Sequence, residues 1–396
     1  MRILMLLEKE FPPDERVEKE INTLRNQGHT VHLACITRSK KNILEEEEKG
    51  IHRMYVNNWM YKLSALILLV PFYLNKWKKF IRKLHSTYHY EAVHVHDLPL
   101  SAAGSYLKSN YGLKLVCDQH EYYSNWIVKT AHYNKGLGYL VKWFSHWKRY
   151  ERKSLHAADL IITVEEPLKK QYLEEYGLPE CKLISIPNTP DRALFQPDIS
   201  GSNVFDRFKN QFVLLYFGGI DILRGIDKVI DTLPALKTAI PHVKFVLAGR
   251  IYGGFNPNKY AERKGVSEQV EFIGWVKPEQ LPSLISVSDL GVFTPPSDRL
   301  EINKTIATKN YQFLVMNKPV MVGRASYMRE FTERNGIGFS VDENDPVDIA
   351  NHVKTYYHDQ EIRKKMVSNC KKIAPFYYWD ETSKPLVNKY SELETN

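Results

Sequence analysis

Short hydrophobic runs alternate with longer amphipathic segments along the whole chain. The first run, Arg2–Leu7, is followed by the segment Asp14–Gln27, in which Val17, Ile21 and Leu24 recur at helical spacing. This spacing places the three apolar side chains on one face of a helix. A short buried strand followed by such a helix, repeated many times, is the pattern of parallel βαβ units.

The predicted strands fall into two blocks. The first block contains Arg2–Leu7, Val31–Ile36, Ala92–His96, Lys114–Asp118, Leu160–Val164 and Leu183–Ile186, and the second contains Phe212–Phe217, Val243–Ala248, Val270–Ile273, Leu290–Phe293 and Val320–Val322. Between them, Pro187–Asn210 is rich in Pro, Asn, Asp and Ser, and we interpret it as the crossing between domains. We therefore predict an α/β protein with two Rossmann-like, doubly wound domains, residues 1–190 and 205–375, facing a central cleft. Ligands are expected beyond the carboxyl ends of the strands.

Composition fits two folded domains. The chain has 396 residues, of which 43% are hydrophobic and 26% are charged, enough for two cores. The cysteines, Cys35, Cys117, Cys181 and Cys370, lie far apart and form no CxxC, so we expect reduced thiols and no zinc site. The first residues, MRILMLLEKE, contain no small-residue cleavage site and are predicted to form a strand instead of a signal peptide. These features predict a cytoplasmic protein.

The net charge of +9 indicates an anionic partner, and charge alone leaves nucleic acid, acidic phospholipid and phosphorylated substrate open. The apolar run Leu63–Leu74 is too short to span a membrane and contains Pro71. After it, cations alternate with apolar side chains: Lys76, Lys78, Lys79, Arg82 and Lys83 beside Trp77, Phe80, Ile81 and Leu84. A basic amphipathic helix of this kind is typical of attachment to an anionic membrane face. The alternative is an ordinary helix packed on a sheet with solvated lysines.

Glycines and arginines follow two strands of the second block. In LLYFGGIDILRGIDKVI, Gly218 and Gly219 come directly after a strand and Arg224 opens the next helix, while Gly249 and Arg250 end the following strand. Glycine lets the backbone approach a ligand, and a helix N-terminus with an arginine offers positive charge to a phosphate. The pattern is neither GxGxxG nor a Walker loop, so a dinucleotide or ATP is poorly supported.

Together these segments resemble the family 4 retaining glycosyltransferases. The N-terminal half contributes FPPDERVEKEINTLRNQGHTVHL, VHVHDLPLSAAG, LVCDQHEYYS and AADLIITV, and the crossing contributes IPNTPDRALFQP. The C-terminal half contributes the YFGG…RG loop, VEFIGWVKPEQLPSLISVSDL and TKNYQFLVMNKPV. The resemblance covers nearly the whole chain, with the motifs in the family's order.

The resemblance implies a GT-B fold and transfer of a sugar, with retention, from a nucleotide-diphosphate sugar that is a co-substrate and not a cofactor. It implies no obligatory metal, a donor held by the second domain, and a closing helix, residues 376–396, packed back on the first domain. Combined with the basic charge, it suggests a lipid-linked or oligosaccharide acceptor of surface polysaccharide synthesis. The implied partners are the nucleotide sugar, this acceptor and the inner face of an anionic membrane, with no nucleic acid.

Carried over to this sequence, the donor site centres on Arg224 and Lys309, which would face the diphosphate. A leaving nucleoside diphosphate gains negative charge, and without a metal fixed cations must stabilise it; the alternative is a pair of ordinary surface cations. The backbone near Trp275 and Val276 would bracket the base. The predicted donor-binding residues are Gly218, Gly219, Arg224, Gly249, Arg250, Trp275, Val276, Lys304, Lys309 and Gln312.

This sequence departs from the family pattern in the same region. Many members have two glutamates eight positions apart, where this chain has Lys304 and Gln312. Gln312 can accept from ribose hydroxyls through its carbonyl oxygen but without full charge, which leaves the donor open. Gly219 replaces a common arginine, for which Lys304 is a candidate substitute, and Phe11–Pro13 occupies the loop of the usual glycine pair.

In the first domain, His120 and Glu121 follow the strand Lys114–Asp118, and we predict that both are catalytic, together with Arg224 and Lys309 of the second domain. His120 would lie nearest the reacting sugar, where it polarises a hydroxyl or stabilises charge. Asp97 is predicted either to bind acceptor hydroxyls or to cap the next helix. Arg16 is predicted to meet an acceptor phosphate or to form a surface salt bridge.

His94 and His96 project from one strand face, but no third ligand is evident near them in the sequence, so no metal site is predicted. Two other functions remain open: a nucleotide-sugar epimerase, and a protein with a decayed site that binds a nucleotide sugar or glycan. Lys304 and Gln312 are the residues that favour the decayed site.

Overall fold

The computed structural model describes residues 1–40, 49–64, 71–124, 144–197, 203–298 and 302–395. The chain divides into two compact units: unit 1 is Met1–Pro187 with Ser383–Asn396, and unit 2 is Asn188–Thr382. Each unit is built on its own parallel sheet.

Strands and helices alternate along both units. The strands are β1 (Arg2–Glu10), β2 (Thr30–Thr37), β3 (Ile51–Tyr55), β4 (Ala92–His96), β5 (Lys114–Gln119), β6 (Leu160–Thr163), β7 (Leu183–Ser185), β8 (Phe212–Phe217), β9 (Val243–Ala248), β10 (Val270–Gly274), β11 (Leu290–Phe293), β12 (Val320–Val322) and β13 (Gly338–Ser340). The helices are α1 (Glu15–Asn26), α2 (Asn58–Ser64), α3 (Pro71–Tyr88), α4 (Ser101–Tyr111), α5 (Phe144–Ala157), α6 (Glu166–Tyr176), α7 (Ile226–Ala239), α8 (Pro257–Arg263), α9 (Leu281–Ser286), α10 (Thr308–Val315), α11 (Ser326–Arg334), α12 (Pro346–His358), α13 (Gln360–Ile373), α14 (Trp379–Thr382) and α15 (Lys384–Thr395).

Unit 1 contains a seven-stranded sheet in the order β3-β2-β1-β4-β5-β6-β7, with every neighbouring pair parallel. The strand order reverses between β1 and β4, which makes their carboxyl ends the topological switch point. Strand β4 is buried along its whole length, because a parallel sheet is covered by helices on both faces. Polar side chains on β4 and β5 are therefore buried as well.

Helix α1 covers the face of this sheet to which His94 and His96 point. The side chain of Asp14 caps α1 by accepting a hydrogen bond from the N–H of Val17 (3.3 Å), as expected at a helix N-cap. The buried stripe of α1 contains two charged residues among its apolar ones: Arg16, Val17, Glu20, Ile21 and Leu24. Helix α15, near the C-terminus, belongs to unit 1, and its Tyr390 is fully buried.

Helices α3, α4 and α5 form a neighbouring layer within unit 1, with α4 in contact with both of the others. The interfacial anchors predicted on α3 are wrong in part, because Trp77 and Ile81 are fully buried and Leu84 is 8% exposed. These side chains pack into the core of unit 1. The apolar residues 65–70 lie outside the described part of the chain. Among the described residues, no helix combines the length and apolar character needed to cross a membrane.

Unit 2 contains a six-stranded parallel sheet in the order β10-β9-β8-β11-β12-β13. Strand β8 is buried at every position, and Phe245, Phe313 and Leu314 are fully buried in the same core. The strand order reverses between β8 and β11, so the carboxyl ends of these two strands form the switch point of unit 2.

Every strand predicted from the sequence is present, with ends that agree to within three residues. The pattern missed β3 and β13. All four cysteines are free, and Cys35, Cys117 and Cys370 are buried while Cys181 is exposed.

Candidate functional site

Glycines bring strands β8 and β9 together at the carboxyl edge of the unit 2 sheet. The N–H of Gly218 donates to the Ala248 carbonyl oxygen (2.8 Å), and the N–H of Gly249 donates to the Gly274 carbonyl oxygen (2.7 Å). Gly249 has φ +145, and a Cβ atom there would lie 1.7 Å from the Gly218 carbonyl oxygen. Only glycine fits that approach, so the edge is formed by closely packed bare backbone.

A second glycine places Arg224 at this edge. Arg224 ends the short 3₁₀ turn Ile222–Arg224, in which the N–H of Leu223 donates a hydrogen bond to the side chain of Asp221. Gly225 follows with φ +73, and a Cβ atom there would lie 2.0 Å from the Thr294 carbonyl oxygen. Glycine therefore lets the start of α7 lie against the end of β11, with the half-buried Arg224 beside it.

Lys309 lies at the start of α10 between two aromatic rings. Its Nζ is 4.3 Å from the centroid of the Tyr216 ring and 4.6 Å from that of Phe293. A Cβ atom at Gly218 would lie 3.0 Å from the same Nζ, so the ammonium group borders the glycine edge. Burial, and secondly the positive charge of Arg224, lowers the pKa of Lys309 to about 7.

Neither cation is paired with a carboxylate. Within the described ranges, no carboxylate lies within ion-pair distance of Arg224 or Lys309. Two adjacent positive charges without counterions are an unfavourable arrangement unless an anion occupies the site. The structure thus brings together the predicted residues Gly218, Gly249, Arg224 and Lys309, and their charge is suited to an anion.

Aromatic surface flanks this edge on the side of β10. Trp275 is 56% exposed, and the guanidinium carbon of Arg250 lies 5.9 Å from its ring centroid. Val276 packs partly against the core. Tyr252, which the sequence pattern did not single out, is 55% exposed and its ring lies 3.3 Å from a Cβ placed on Gly219. These planar, solvent-accessible groups could stack on a base.

Lys304 and Gln312 lie on separate elements. Gln312 is on α10, three residues after Lys309, and is 7% exposed. Lys304 ends the turn Ile302–Lys304, which Asn303 fixes in place. The Asn303 side chain donates to the Ser297 carbonyl oxygen (2.6 Å) and accepts from the Ser326 N–H (2.8 Å).

Glu343 is a second residue that sequence reasoning missed. Its buried carboxylate accepts hydrogen bonds from the N–H groups of Ser297 (2.8 Å) and Arg324 (2.9 Å). Burial alone would raise the pKa of Glu343, but these hydrogen bonds hold it below its usual value. Glu343 thereby joins the loops that follow β11 and β12.

At the switch point of unit 1, the structure brings His120 together with carboxylates on both sides of its ring. Nε2 of His120 lies 2.7 Å from Oδ2 of Asp118, and Nδ1 lies 3.9 Å from Oδ2 of Asp97. Lys9, at the end of β1, lies 3.5 Å from the same Asp97 oxygen, and the sequence pattern did not reveal it. The exposed Glu121 contributes negative charge near Lys9.

Asp97 does not cap the next helix. The N-cap position of α4 is Leu100, without a side-chain hydrogen bond, so the capping alternative is wrong. Asp97 has φ +62, a left-handed conformation that non-glycine residues seldom adopt. Its N–H donates to the Asp118 carbonyl oxygen (2.8 Å), which fixes its carboxylate at the sheet edge beside His120.

Arg16 is buried and not on the surface, so the predicted surface salt bridge is wrong. Its guanidinium donates to both oxygens of Asp118 (3.2 and 3.0 Å) and to the Ile186 carbonyl oxygen (2.9 Å), and Nε lies 3.0 Å from Glu20. With 3% of its surface exposed and its donors engaged, Arg16 has little left to offer the predicted acceptor phosphate. It instead holds Asp118 in place.

His94 and His96 share a strand face as predicted, but the structure adds the carboxylates of Glu20 and Asp118, which the sequence did not reveal. Potential metal-binding atoms of these residues lie within 4.8 Å of one another. The Arg16 guanidinium already supplies a positive charge to both carboxylates. His94 Nδ1 lies 2.8 Å from the Tyr390 hydroxyl, so the cluster ties α15 to the sheet. We assign it as an ion-pair network.

Two family models cover most of this chain. Residues 16–193 match Glycosyltransferase Family 4, and residues 202–373 match Glycosyl transferases group 1. The chain belongs to the family 4 glycosyltransferases and is a glycosyltransferase with the GT-B fold. The predicted family and fold class are thus confirmed.

Known proteins resemble it over most or all of its length. EpsD of Bacillus subtilis (strain 168), which carries a provisional glycosyltransferase name, is 21% identical over 322 residues, or 78% of this chain and 79% of EpsD. The sucrose-phosphate synthase of Thermosynechococcus elongatus superposes with a TM-score of 0.77 at 15% identity, covering 100% of this chain and 99% of the synthase. Anabaena HepE, solved with UDP and glucose, superposes with a TM-score of 0.71 at 18% identity over 99% and 100% of the two chains. At such identities the superpositions establish the fold.

Proposed function

We propose that this glycosyltransferase moves a sugar, with retention and without a metal ion, from a nucleoside-diphosphate sugar held by unit 2. The observation that carries the proposal is the pair Arg224 and Lys309, two cations without a carboxylate partner in the described residues, at a bare glycine edge. HepE was solved with UDP-glucose, which supports a donor of this class here.

The chemistry follows from where charge develops. The acceptor hydroxyl oxygen forms a bond to the anomeric carbon, the bond from that carbon to the phosphate oxygen breaks, and the hydroxyl proton passes to the leaving phosphate oxygen. The nucleoside diphosphate leaves with added negative charge, which fixed cations stabilise without reorganisation. Arg224 can bind two phosphate oxygens at once and Lys309 acts as a point charge.

The rest of the donor would extend along the same edge. Trp275, Arg250 and the backbone at Val276 would flank a planar base, and Lys304 would face the phosphates. Gln312 follows Lys309 by almost one helical turn and would accept from a ribose hydroxyl. An amide carbonyl is a weaker acceptor than a carboxylate, so ribose contributes less to donor affinity than a glutamate would allow.

The acceptor would be bound by unit 1, where Asp97, Glu121 and His120 surround the switch point. A carboxylate accepts from sugar hydroxyls, and His120 donates to a hydroxyl oxygen or to developing charge. We propose a lipid-linked or oligosaccharide acceptor of surface polysaccharide synthesis, handled in the cytoplasm at the inner membrane face.

A basic layer of unit 1 supports the membrane part of this proposal, although the buried Trp77 cannot serve as its anchor. Helices α3, α4 and α5 contain a single carboxylate, Glu151, which is buried. Their exposed cations with no carboxylate partner in the described residues are Lys79, Arg82, Lys83, Arg149, Arg152 and Lys153. Each basic residue near an anionic bilayer contributes about 1 kcal/mol.

The donor site is tested by titrating UDP and GDP into the wild type, Arg224→Ala and Lys309→Ala. Arg329→Ala and Lys259→Ala are matched controls, since both cations are exposed and lie on other helices of unit 2. We expect either site variant to weaken binding about 10- to 100-fold and both controls to behave as wild type. Wild-type affinity in both site variants would refute the donor site.

Turnover is tested by slow transfer to water from UDP-glucose and GDP-mannose, followed by NMR of the released sugar. We expect release of nucleoside diphosphate and, as the first product, the anomer present in the donor; the opposite anomer would refute retention. An epimerised nucleotide sugar, or binding without turnover on any added alkyl glycoside, would refute glycosyl transfer.

The membrane part is tested by sedimentation with vesicles of phosphatidylcholine alone or mixed with phosphatidylglycerol. We expect binding to the anionic vesicles only, lost in the triple variant Lys79→Ala, Arg82→Ala, Lys83→Ala and retained in Lys365→Ala, Lys371→Ala, Lys372→Ala on unit 2. The two variants lose the same number of positive charges, so an equal loss of vesicle binding in both would contradict a specific basic face.

A further inference from the structure

We propose that Asp118 is a positioning residue that keeps His120 as an imidazolium, leaving the Nδ1–H of His120 as the donor that meets the substrate. The inference rests on the proposed function for its role in transfer, and on unit 1 alone for its geometry.

The first step is the orientation of the ring. Nε2 of His120 lies 2.7 Å from Oδ2 of the fully buried Asp118, a distance typical of a charge-assisted hydrogen bond. A carboxylate accepts hydrogen bonds and cannot donate, so Nε2 carries its proton. The ring is thereby fixed with Nδ1 toward the exposed edge, where Asp97 stands 3.9 Å away.

The second step is the charge of Asp118. A buried carboxylate favours its neutral form unless it is paired, and the two-point contact with the Arg16 guanidinium (3.2 and 3.0 Å) supplies that pairing. Burial alone would raise the pKa of Asp118, but Arg16 and His120 hold it well below its usual value. His96 Nδ1, 3.3 Å from Oδ2, is then a further donor to Asp118.

The third step is the rigidity of Arg16. Its remaining hydrogen bond runs to the Ile186 carbonyl oxygen, and Glu20, one turn further along α1, contacts its Nε. On the far side, Glu20 lies 3.5 Å from His94, whose other nitrogen lies 2.8 Å from the Tyr390 hydroxyl. Elements α1, β4, β5 and α15 thus all hold Asp118 in one position.

The fourth step is the balance of charges that face His120. Asp118 and Asp97 favour the imidazolium, whereas burial and Arg16 oppose it. The neighbouring His96 and His94 have pKa values lowered by burial, and Glu20 lies beside Arg16. Burial would lower the pKa of His120, but the two carboxylates, with Asp118 contributing most, raise it to about 9. This direction favours the charged ring at neutral pH.

An imidazolium cannot take a proton from the acceptor hydroxyl. His120 therefore does not act as a general base in this state. It presents a positively charged Nδ1–H, which is suited to a hydroxyl oxygen of the transferred sugar or to the negative charge that grows on the leaving group. This role leaves the hydroxyl proton to the phosphate oxygen, as the proposed reaction requires.

The test is NMR titration of the full chain labelled with ¹³C and ¹⁵N in histidine, without nucleotide, with His120→Gln to identify the His120 signals. We expect wild-type His120 to titrate well above 6.5, and Asp118→Asn to lower its pKa by more than about one pH unit. Asp97→Asn removes the more exposed carboxylate and should lower it by less.

Asp348→Asn is the matched control, because that carboxylate lies 3.4 Å from His352 in unit 2 and should leave the His120 titration unchanged. If Asp118→Asn does not fold, the pKa of His120 in the wild type and in Asp97→Asn still tests whether the ring is held in its charged form. A wild-type His120 that titrates near 6.5, or one that Asp118→Asn leaves unchanged, would overturn the proposal. Since no nucleotide is added, this result is independent of whether the donor site is right.

Discussion

The state of Lys309 leads to a quantitative prediction for donor binding. Lys309→Met removes the ammonium group and leaves an unbranched apolar chain between the rings of Tyr216 and Phe293, so packing changes little. In the free protein the pKa of Lys309 is about 7, lowered by burial and by Arg224. Near neutral pH the lysine therefore changes its charge over the range in which nucleotide binding can be measured.

The magnitude depends on pH in a definite direction. A diphosphate beside Lys309 favours the ammonium form and raises its pKa in the complex, so binding takes up a proton. At pH 7 the charged contact should contribute about 1.5–3 kcal/mol, or about 10- to 150-fold in affinity. Above pH 7 the protein must first bind that proton, at a cost of about 1.4 kcal/mol for each pH unit. Wild-type affinity should therefore fall up to tenfold per pH unit between about pH 7 and 9.

Calorimetric titration of UDP and GDP at several pH values above 7 measures this dependence directly. A phosphate monoester has its second pKa near 6, so the ligand itself contributes little in this range. Repeating each titration in two buffers of different ionisation enthalpy gives the number of protons taken up. Lys259→Ala should keep the wild-type slope, whereas Lys309→Met should show weaker binding with almost no slope.

The two outcomes that refute this reasoning are distinct. If wild-type affinity does not change between pH 7 and 9, Lys309 does not change its protonation on binding. If Lys309→Met keeps the wild-type slope, the proton is taken up elsewhere.

Three further predictions concern single residues. Gly249→Ala should destabilise unit 2 by about 3 kcal/mol in thermal unfolding, because its Cβ would overlap the Gly218 carbonyl oxygen. Gly265→Ala is the control, since Gly265 has a positive φ but open space around it, and it should cost about 1 kcal/mol. Glu343→Gln should cost about 1–3 kcal/mol at pH 7. The folded-state pKa of Glu343 is lowered, so the carboxylate contributes less stability once it is protonated at low pH. Denaturant unfolding should therefore show that this loss shrinks as the pH falls below about 4.5 and through the folded-state pKa of Glu343. Gln312→Glu should tighten binding of UDP by several-fold, about 1 kcal/mol, and leave 2′-deoxy-UDP less affected in calorimetry.

The strands were predictable because parallel sheets bury both faces and leave continuous hydrophobic runs, as in Phe212–Phe217. The two missed strands lack that signal. Strand β3, IHRMY, is interrupted by polar residues and alternates between buried and half-buried positions, as expected at a sheet edge, while β13 has only three residues and begins with glycine.

Arg224 and Lys309 were singled out from the family motifs, and the structure places them near each other, but the buried network of unit 1 was not predicted. The sequence did contain an indication of this network. Arg16 and Glu20 lie on the helix face that turns toward the sheet, together with the apolar residues Val17, Ile21 and Leu24. A charge in a buried stripe needs a buried partner, and Asp118 on the buried strand β5 was available. Lys9 and Glu343 had no comparable signal, because their contacts join residues 88 and 46 positions away in the chain.

The stripe on α3 shows why one periodicity supports two structures. Tyr73, Trp77, Ile81 and Leu84 follow one face of a helix, and a sheet and a bilayer both accept such a face. These side chains are buried in the core of unit 1, so this apolar face packs inside the protein and not against a bilayer. What remains available to a membrane is the opposite, basic face, so any attachment there should weaken with salt.

The two switch points differ in how their charges are balanced, and this difference supports the division of roles without reference to family. In unit 1, Lys9 and His120 stand against Asp97 and Asp118, so a diphosphate placed there would meet two carboxylates within a few ångströms of its cations. In unit 2, Arg224 and Lys309 have no carboxylate partner within the described residues, and burial, together with repulsion from Arg224, lowers the pKa of Lys309. A polyanion relieves that repulsion, whereas a neutral sugar hydroxyl does not. This contrast supports the proposal that unit 2 binds the polyanionic donor and that the carboxylates of unit 1 bind hydroxyl groups of an acceptor.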